Sequence, residues 1–221
     1  DYLYRKFIYW YRKSKHDSSL KNLSIEIEKL YVNTWLLSFN NEWQKVVDGL
    51  SIWPTQEKFS QRNFYDNYIQ SYVEKEQRIF VVISDALRYE CGKELTDLIL
   101  KENGFDAKIK PLLSSLPSYT QLGMASLLPN RSLSLVDGGD SVLVDGKGTI
   151  GLNARKSLLE VATDGKAIAL SADEYMQIKG GNKGKDFIKP YNVIYIYHNR
   201  IDKVGDDKVT EDKLVDAVEE E

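Results

Sequence analysis

Several side chains that can bind metal ions or transfer protons come directly after apolar runs of the sequence. Asp85 follows the apolar run Ile79–Ile83, and His198 follows a second run, 192–197. Ligands of open α/β sheets bind beyond the carboxyl ends of the strands, so we expect these residues at one edge of a sheet. A carboxylate in the position of Asp85 either caps the next helix or binds a metal ion, and its two oxygens can do both.

Three hydroxyl groups, those of Ser115, Ser118 and Thr120, precede a predicted helix. The N–H groups at a helix start attract anions such as phosphate, so a hydroxyl there can lie close to a phosphorus atom. A hydroxyl attacks phosphorus only when its proton is removed, and no histidine is near in the sequence. A metal ion or a distant base would have to activate it. The alternative is that these hydroxyls only cap the helix.

His198 and Asp202 are four residues apart, so they share a face if both lie on one helix, or they converge from a loop. Histidine and carboxylate together suit zinc or manganese. The alternative for His198 is a hydrogen-bonded histidine at the end of a strand. The other histidine, His16, lies between Lys15 and Asp17 and is predicted to face solvent. Jointly, the carboxylate, the hydroxyl and the His/Asp pair are the components of a metal-activated alkoxide site for phosphoryl transfer.

From residue 78 onward, β-branched apolar runs alternate with amphipathic stretches, which predicts a mostly parallel sheet with helical crossover connections. Asp137–Asp140 has the composition of a hairpin turn, Gly180–Lys185 is predicted as a flexible basic loop, and a helix starts near Thr210. The predicted strands are 78–84, 107–113, 133–136, 141–144, 167–170 and 192–197, and the predicted helices are 87–101, 121–128 and 153–161.

Residues 1–76 are predicted to be helical and are rich in aromatic residues, with a break at Pro54. We therefore divide the chain into this helical region and an α/β region, 77–221. The simplest interpretation of 1–76 is a helical bundle that packs its aromatic residues into its own core. The alternative is a groove for a partner helix or a nucleic-acid strand.

The composition excludes several classes of protein. The chain has 221 residues with 30 basic and 33 acidic side chains, a net charge of −3, so it is not a polycation for nucleic acid. The single cysteine, Cys91, fits a reducing cytoplasm, and no apolar run is long enough to cross a membrane. The sequence starts without methionine and stops within an acidic helical run, so we expect a piece of a longer protein.

Three segments of the sequence resemble the PglZ family, which belongs to the alkaline phosphatase superfamily of metal-dependent hydrolases. They are Phe80–Glu90 (FVVISDALRYE), Leu116–Pro129 (LPSYTQLGMA, then LLP) and Ile196–Asp202 (IYHNRID). The resemblance covers about residues 60–210, and the aromatic helical region is similar to the part that precedes the domain in PglZ proteins. It implies an alkaline-phosphatase-like, doubly wound sheet flanked by helices.

The resemblance also implies roles for individual residues. Asp85 is similar to the first metal ligand, and Thr120 to the nucleophile, which also contacts metal. Ser118 and Ser115 are less favoured as nucleophiles. His198 and Asp202 resemble ligands of a second metal ion. Arg88 is a candidate for binding phosphate, and the alternative is an ion pair with Glu90 or a neighbour.

The implied function is metal-dependent hydrolysis of a phosphate ester or diester in a phage-defence system of the phage-growth-limitation or BREX type. Zinc is the expected metal, with manganese or magnesium as alternatives, and the implied partners are a DNA methyltransferase and ATPases. Superfamily sites need further Asp and His ligands downstream, so we expect this chain to be truncated at its C-terminus, to bind metal weakly or not at all, and to show little activity.

Two other functions stay open at this point. One is a catalytically silent scaffold whose helical region docks other defence proteins. The other is a nuclease or DNA-binding protein, for which four lysines could supply part of a basic surface, although lysine runs are usually solvated. They are Lys179, Lys183, Lys185 and Lys189.

Overall fold

The computed structural model describes residues 1–15, 18–53, 57–178, 180–207, 209 and 213–220. The predictions for His16, Pro54 and Lys179 therefore lie outside the described residues. The chain forms two compact units: unit 1 comprises Asp1–Ile52, Ala86–Lys110 and Arg200–Glu221, and unit 2 comprises Trp53–Asp85 and Pro111–Asn199. The predicted division between residues 76 and 77 stays a prediction, and each unit is described by itself below.

The described chain alternates helices and strands from residue 79 onward. The strands are β1 (Ile79–Ser84), β2 (Leu133–Leu135), β3 (Val142–Val144), β4 (Lys147–Gly148), β5 (Ala167–Ser171) and β6 (Val193–His198). The α-helices are α1 (Tyr2–Lys13), α2 (Lys21–Lys29), α3 (Leu37–Asp48), α4 (Gln70–Glu74), α5 (Tyr89–Ile99), α6 (Thr120–Ser126), α7 (Gly151–Ala162), α8 (Ala172–Ile178), α9 (Gly181–Ile188), α10 (Arg200–Asp206) and α11 (Leu214–Glu220). Leu30–Leu36 and Tyr65–Ile69 are π-helical.

Unit 2 contains a parallel sheet in the order β1-β6-β5. β1 pairs with β6 from Ile79 opposite Val193 to Ser84 opposite His198. These strands are rich in β-branched and aromatic residues, which suit the pleated surface of a buried sheet. The predicted parallel α/β architecture with flanking helices is thus confirmed.

The side chains of this sheet alternate between two cores, as the two-residue period of a strand requires. Val81, Ala169 and Tyr195 belong to the larger core, which also receives residues of α6 and α7. Ile194 and Ile196 face the opposite side, where they pack with Ile168, Leu170 and the partly buried Tyr175 of α8. Both faces of β6 are therefore covered, which explains why it is the most buried strand.

The predicted hairpin is present, since β2 and β3 pair antiparallel with Leu133 opposite Val144. Gly138 in the intervening turn has φ of +76°, a conformation that glycine adopts without steric cost.

Two predicted elements are wrong. Residues 107–113 do not form a strand: Leu113 makes one isolated parallel bridge with Ser60, and Pro111 has no N–H to donate to a ladder. Gly180–Lys185 is not a flexible loop, because the helix α9 begins at Gly181. Its Gly184 is buried, although glycine within a helix costs about 1 kcal/mol relative to alanine.

Unit 1 does not pack its aromatic residues into a core of their own. Among the described residues of 1–52, only Arg5 and Ser24 are buried. The side chains of Trp35 and Phe39 are 47% and 56% exposed, and Trp43 is similarly open. The aromatic residues near position 65 belong instead to the core of unit 2, where Tyr65 is 3% exposed. The prediction that residues 1–76 form a helical bundle with an aromatic core of its own is therefore wrong.

A cluster of ion pairs joins three helices of unit 1. The guanidinium of Arg5 on α1 contacts Glu90 at 2.8 Å and Glu94 at 2.5 Å, both on α5, and also Glu219 on α11. The Arg5 side chain is only 8% exposed. Burial alone would raise the pKa of Glu90, but hydrogen bonds from Arg5 and from the thiol of Cys91 outweigh it, so this pKa is lowered.

The same neighbourhood keeps Cys91 protonated. Burial raises the pKa of its thiol to about 11, and the hydrogen bond to Glu90 adds to this effect. A thiol with so high a pKa carries little thiolate at neutral pH and is a poor nucleophile. Cys91 is therefore a packing residue.

No helix among the described residues is both long enough and apolar enough to cross a membrane.

We predict that Arg5→Met lowers the free energy of unfolding by about 2–3 kcal/mol at pH 7, because Glu90 loses its guanidinium partner while Glu94 and Glu219 keep only Lys6. The carboxyls of Glu90 and Glu94 have pKa values below their ordinary value of 4.5, so their contribution is present above that pH and is lost as pH falls. The difference between variant and wild type should thus shrink below about pH 4.

The measurement is urea unfolding from pH 7 to pH 3, with the exposed Lys21→Met as the control. An equal loss of stability in both variants, or a loss that does not depend on pH, would contradict the assigned role of Arg5.

Candidate functional site

Asp85 and His198 lie at the carboxyl ends of two neighbouring parallel strands. β1 ends at Ser84 and β6 ends at His198, and these two residues are paired across the sheet. The backbone N–H of Asp85 donates to the carbonyl oxygen of His198 over 2.9 Å. Asp85 and His198 are both half-buried. The structure therefore brings a carboxylate and an imidazole together at the edge where sheets of this class bind ligands.

Ser84 contacts the imidazole ring directly. Its Oγ lies 2.9 Å from Nδ1 of His198, within hydrogen-bonding distance. The other ring nitrogen, Nε2, is shielded from solvent. Histidines that bind metals generally have one ring nitrogen held by such a partner, which fixes the orientation of the ring. The sequence-based interpretation gave Ser84 no role, because this contact depends on the register between β1 and β6.

Asp85 is not the N-cap of the following helix, so this alternative interpretation is wrong. The helix α5 starts at Tyr89 with Arg88 in the N-cap position. Between Asp85 and the helix the chain turns at Ala86, whose φ is +61°. A non-glycine residue in this left-handed region costs about 1–2 kcal/mol. Such strained backbone is often found at functional sites.

Thr120 is the first residue of α6 and is exposed. The N-cap of α6 is Tyr119, and no side chain in the described part of the chain caps this helix by a hydrogen bond. The alternative that the hydroxyls serve only as N-caps is therefore not what the structure shows. Ser115 instead lies 2.8 Å from the buried Ser126 hydroxyl, a structural contact that argues against Ser115 as a nucleophile.

Arg155 of α7 connects the segments that carry Thr120 and His198. Its Nη2 donates to the side-chain oxygen of Gln121 over 3.3 Å, and its Nε donates to the carbonyl of Thr149 over 3.1 Å. The guanidinium carbon lies 4.9 Å from the centre of the Tyr197 ring. One cation thus holds a neighbour of Thr120 and a neighbour of His198. Sequence reasoning missed Arg155, because a single arginine within a helix carries no recognisable signal.

The Tyr197 hydroxyl is unsuited to be a general base. Burial raises its pKa to about 12, and Arg155 only partly counteracts this. The next tyrosine of β6, Tyr195, donates to the carbonyl of Leu127 over 2.9 Å and has a pKa raised by burial. Both rings are packing elements under the site.

Arg88 and Asp202 belong to unit 1. Arg88 is exposed at the start of α5, and the carboxylate of Glu90, its alternative ion-pair partner, is bound by Arg5. Asp202 is the third residue of α10, whereas His198 is the last residue of a strand. The two therefore do not share a helical face, and the roles of Arg88 and Asp202 stay predictions.

The described residues do not assemble a complete metal centre by themselves. Across the described ranges, no group of three or more His, Cys, Asp and Glu side chains is placed to hold a metal ion. Asp85 and His198 supply two ligand types that suit zinc or manganese. Lys183 and Lys185 lie on α9 and Lys189 is its C-cap, and a nucleic-acid surface at these lysines stays a prediction.

The parallel sheet with flanking helices is consistent with an alkaline-phosphatase-like domain, and the comparisons identify the chain as one. Residues 64–221 match the family model described as the BREX system PglZ alkaline phosphatase-like domain. Since this match covers more than half of the chain, the chain belongs to the PglZ family. The resemblance noted from its motifs is thereby confirmed.

Two curated relatives match most of the chain. "Alkaline phosphatase-like protein BrxZ" of Escherichia coli O9:H4 (strain HS) is 38% identical over 92% of this chain and 24% of its own length. "Alkaline phosphatase-like protein PglZ" of Bacillus cereus (strain H3081.97) is 34% identical over 100% of this chain and 26% of its own length. The chain thus spans about a quarter of the length of the curated relatives it matches.

We predict that Arg155→Gln loosens the start of α6, because it removes two hydrogen bonds worth roughly 1 kcal/mol each. Amide hydrogen exchange at Gly123, whose N–H donates to the Tyr119 carbonyl over 3.0 Å, should become about tenfold faster. Lys156→Gln on the same helix is the control and should leave this exchange unchanged. Equal exchange in wild type and Arg155→Gln would show that Arg155 does not position α6.

Proposed function

We propose that this chain contributes the first part of a metal-dependent hydrolase site for phosphate esters or diesters in a bacterial phage-defence system. The observation that carries the proposal is the placement of Asp85 beside His198 at the ends of paired parallel strands. Membership of a family described as alkaline phosphatase-like supports the same class of chemistry.

In this proposal Asp85, His198 and Asp202 hold divalent metal ions, with zinc expected and manganese or magnesium as alternatives. A bound divalent ion supplies Lewis acidity, which lets an attached hydroxyl ionise near neutral pH. Thr120 is the nucleophile, since it is exposed at the start of α6. Arg88 binds the phosphate group of the substrate. Completion of the metal site requires ligands in addition to these residues.

Ser84 and Arg155 support these groups without reacting. Ser84 fixes the imidazole of His198 through Nδ1, which sets the direction in which the ring presents its other nitrogen. Arg155 contacts both Gln121 and the Tyr197 ring, so it fixes the position of the start of α6 relative to the end of β6. Small displacements between reacting groups lower rates strongly, so such positioning contributes to catalysis.

The names of the relatives support a role in defence. We propose that the chain acts in the cytoplasm together with other defence proteins, a DNA methyltransferase and ATPases among them.

A second candidate function is a catalytically silent interaction module. The observation that favours it is the large exposed apolar surface of unit 1. Hydrolysis that is abolished by a chelator favours the enzyme, whereas an inactive protein that still binds the other defence proteins favours the module.

We predict that Thr120→Ala in the full-length protein lowers metal-dependent hydrolysis of bis-p-nitrophenyl phosphate by about a thousand-fold or more, because the nucleophile is lost. Metal affinity and folding should change much less. Thr120→Ser should keep part of the activity, and Ser118→Ala is the control for a neighbouring hydroxyl. Normal hydrolysis by Thr120→Ala would show that another group is the nucleophile.

We predict that Ser84→Ala weakens zinc binding about 10–100-fold, because the imidazole of His198 loses the contact that orients it. The measurement is competition with a chromogenic chelator, which does not require activity. Ser134→Ala, at an exposed position of β2, is the control. If Ser84→Ala and Ser134→Ala bind zinc equally, the role of Ser84 in positioning the His198 ring is overturned.

A further inference from the structure

A large apolar groove lies within unit 1, between α1 and the long helix formed by α2, the π-helical segment and α3. Its volume is about 990 Å³. Leu3, Tyr4 and Phe7 form one wall, and Ile27, Leu30, Trp35 and Phe39 are among the residues of the other. Monomeric proteins seldom leave so many large apolar side chains in contact with water, and such surfaces mark binding sites.

Four aromatic rings form a stacked column along this groove. The Tyr4 and Tyr31 rings are 3.9 Å apart, the Tyr31 and Trp35 rings 5.5 Å, and the Trp35 and Phe39 rings 5.8 Å, with planes within 16° of parallel. The faces of Tyr31 and Trp35 are therefore occupied by one another and by their neighbours. A nucleobase needs a free ring face on which to stack, whereas apolar side chains pack well against ring edges.

The charged side chains of the groove are acidic. Asp1 and Glu42 line it, and among the residues that the structure describes no lysine or arginine does. The Asp1 carboxylate accepts a hydrogen bond from the Tyr31 hydroxyl over 2.6 Å, and Glu42 pairs with the exposed Lys45. Burial raises the pKa of Tyr4, and the nearby Glu28 carboxylate raises it further, although Arg12 and Arg88 act in the opposite direction. The negative charge of Asp1 and Glu42 disfavours binding of nucleic acid and anionic lipid, and it favours a ligand with basic residues.

The dimensions of the groove fit an α-helix. The lining residues of its longer wall run from Ile27 to Glu42, which at about 1.5 Å per residue is a length of roughly 20 Å, equal to a helix of about 14 residues. A helix is convex and fills a groove between two helices with its side chains. A second copy of the same concave, acidic surface would leave a void and would bring like charges together.

We propose that this groove binds an amphipathic α-helix of a partner protein, with apolar residues on one face and lysine or arginine residues beside them. The apolar face lies against the edges of the ring column, in the manner of other helix-in-groove complexes. The basic residues lie next to Asp1 and Glu42, the acidic residues of the groove lining. This inference rests on the second proposed function, the interaction module, and supplies the chemistry of its partner.

The test uses the 221-residue chain and two synthetic helical peptides of about 14 residues, both with leucine on one face and with either lysine or glutamate elsewhere. Trp35 lies in the groove and reports binding by a shift of its fluorescence to shorter wavelength. The lysine peptide should bind at least about tenfold more tightly than the glutamate peptide, because only its charge complements the groove.

Phe39→Lys and Phe105→Lys form a matched pair of variants. Phe39 lines the groove and is 56% exposed, whereas Phe105 lies outside its lining and is 68% exposed. Phe39→Lys should weaken binding of the lysine peptide at least about tenfold, and Phe105→Lys should leave it within about twofold. Because both side chains are largely exposed, the fold should persist, and circular dichroism verifies this.

Three outcomes would overturn the proposal. The first is an equal effect of the two variants on binding of the lysine peptide. The second is tighter binding of oligothymidylate or anionic phosphatidylglycerol vesicles than of the lysine peptide, and the third is a dimer in light scattering that Phe39→Lys dissociates.

Failure of the interaction role itself is distinguished by co-purification. If the peptide does not bind but defence proteins still bind the 221-residue chain, only the groove chemistry is wrong. If neither binds, the interaction module is also wrong.

Discussion

The parallel pairing of β1 with β6 is the constraint on which the candidate site depends. Six consecutive residue pairs, ending at Ser84 and His198, bring both strands to the same edge of the sheet. Backbone hydrogen bonds fix this register, so the position of Asp85 next to His198 does not depend on the conformation of the neighbouring loops. A shift of one residue would turn every β1 side chain to the other face, exchanging core residues for exposed ones, and would break the Ser84–His198 contact.

The sequence was sufficient to predict the sheet and the position of Asp85 and His198. Runs such as Ile79–Ile83 have few alternatives to a buried strand, and polar residues after parallel strands meet at one edge by topology. The contacts made by Ser84 and Arg155 could not be predicted, since they depend on the strand register and on how α7 packs. The strand expected at 107–113 failed because its apolar residues outweighed the missing N–H of Pro111 in the interpretation. The loop expected at Gly180–Lys185 failed because glycine-rich composition disfavours a helix locally but does not prevent one.

The aromatic helical region shows a different limit of sequence reasoning. The spacing of Tyr31, Trp35 and Phe39 correctly indicates one face of a helix, but spacing cannot say whether that face is covered by the same chain. In unit 1 the buried position of α1 is taken by Arg5 rather than by an aromatic residue. Ion pairs of Arg5 therefore join α1 to α5 and α11, and the aromatic rings remain exposed.

The backbone turn at Ala86 restricts how this part of the chain can evolve. At a φ of +61°, glycine, asparagine or aspartate could replace alanine at little steric cost, whereas valine, isoleucine or threonine would force the chain out of the left-handed region. Asp85 directly precedes this turn, so a branched residue at 86 would redirect its carboxylate even though it alters no functional group. Descendants of this gene should therefore accumulate only small or short polar side chains at this position.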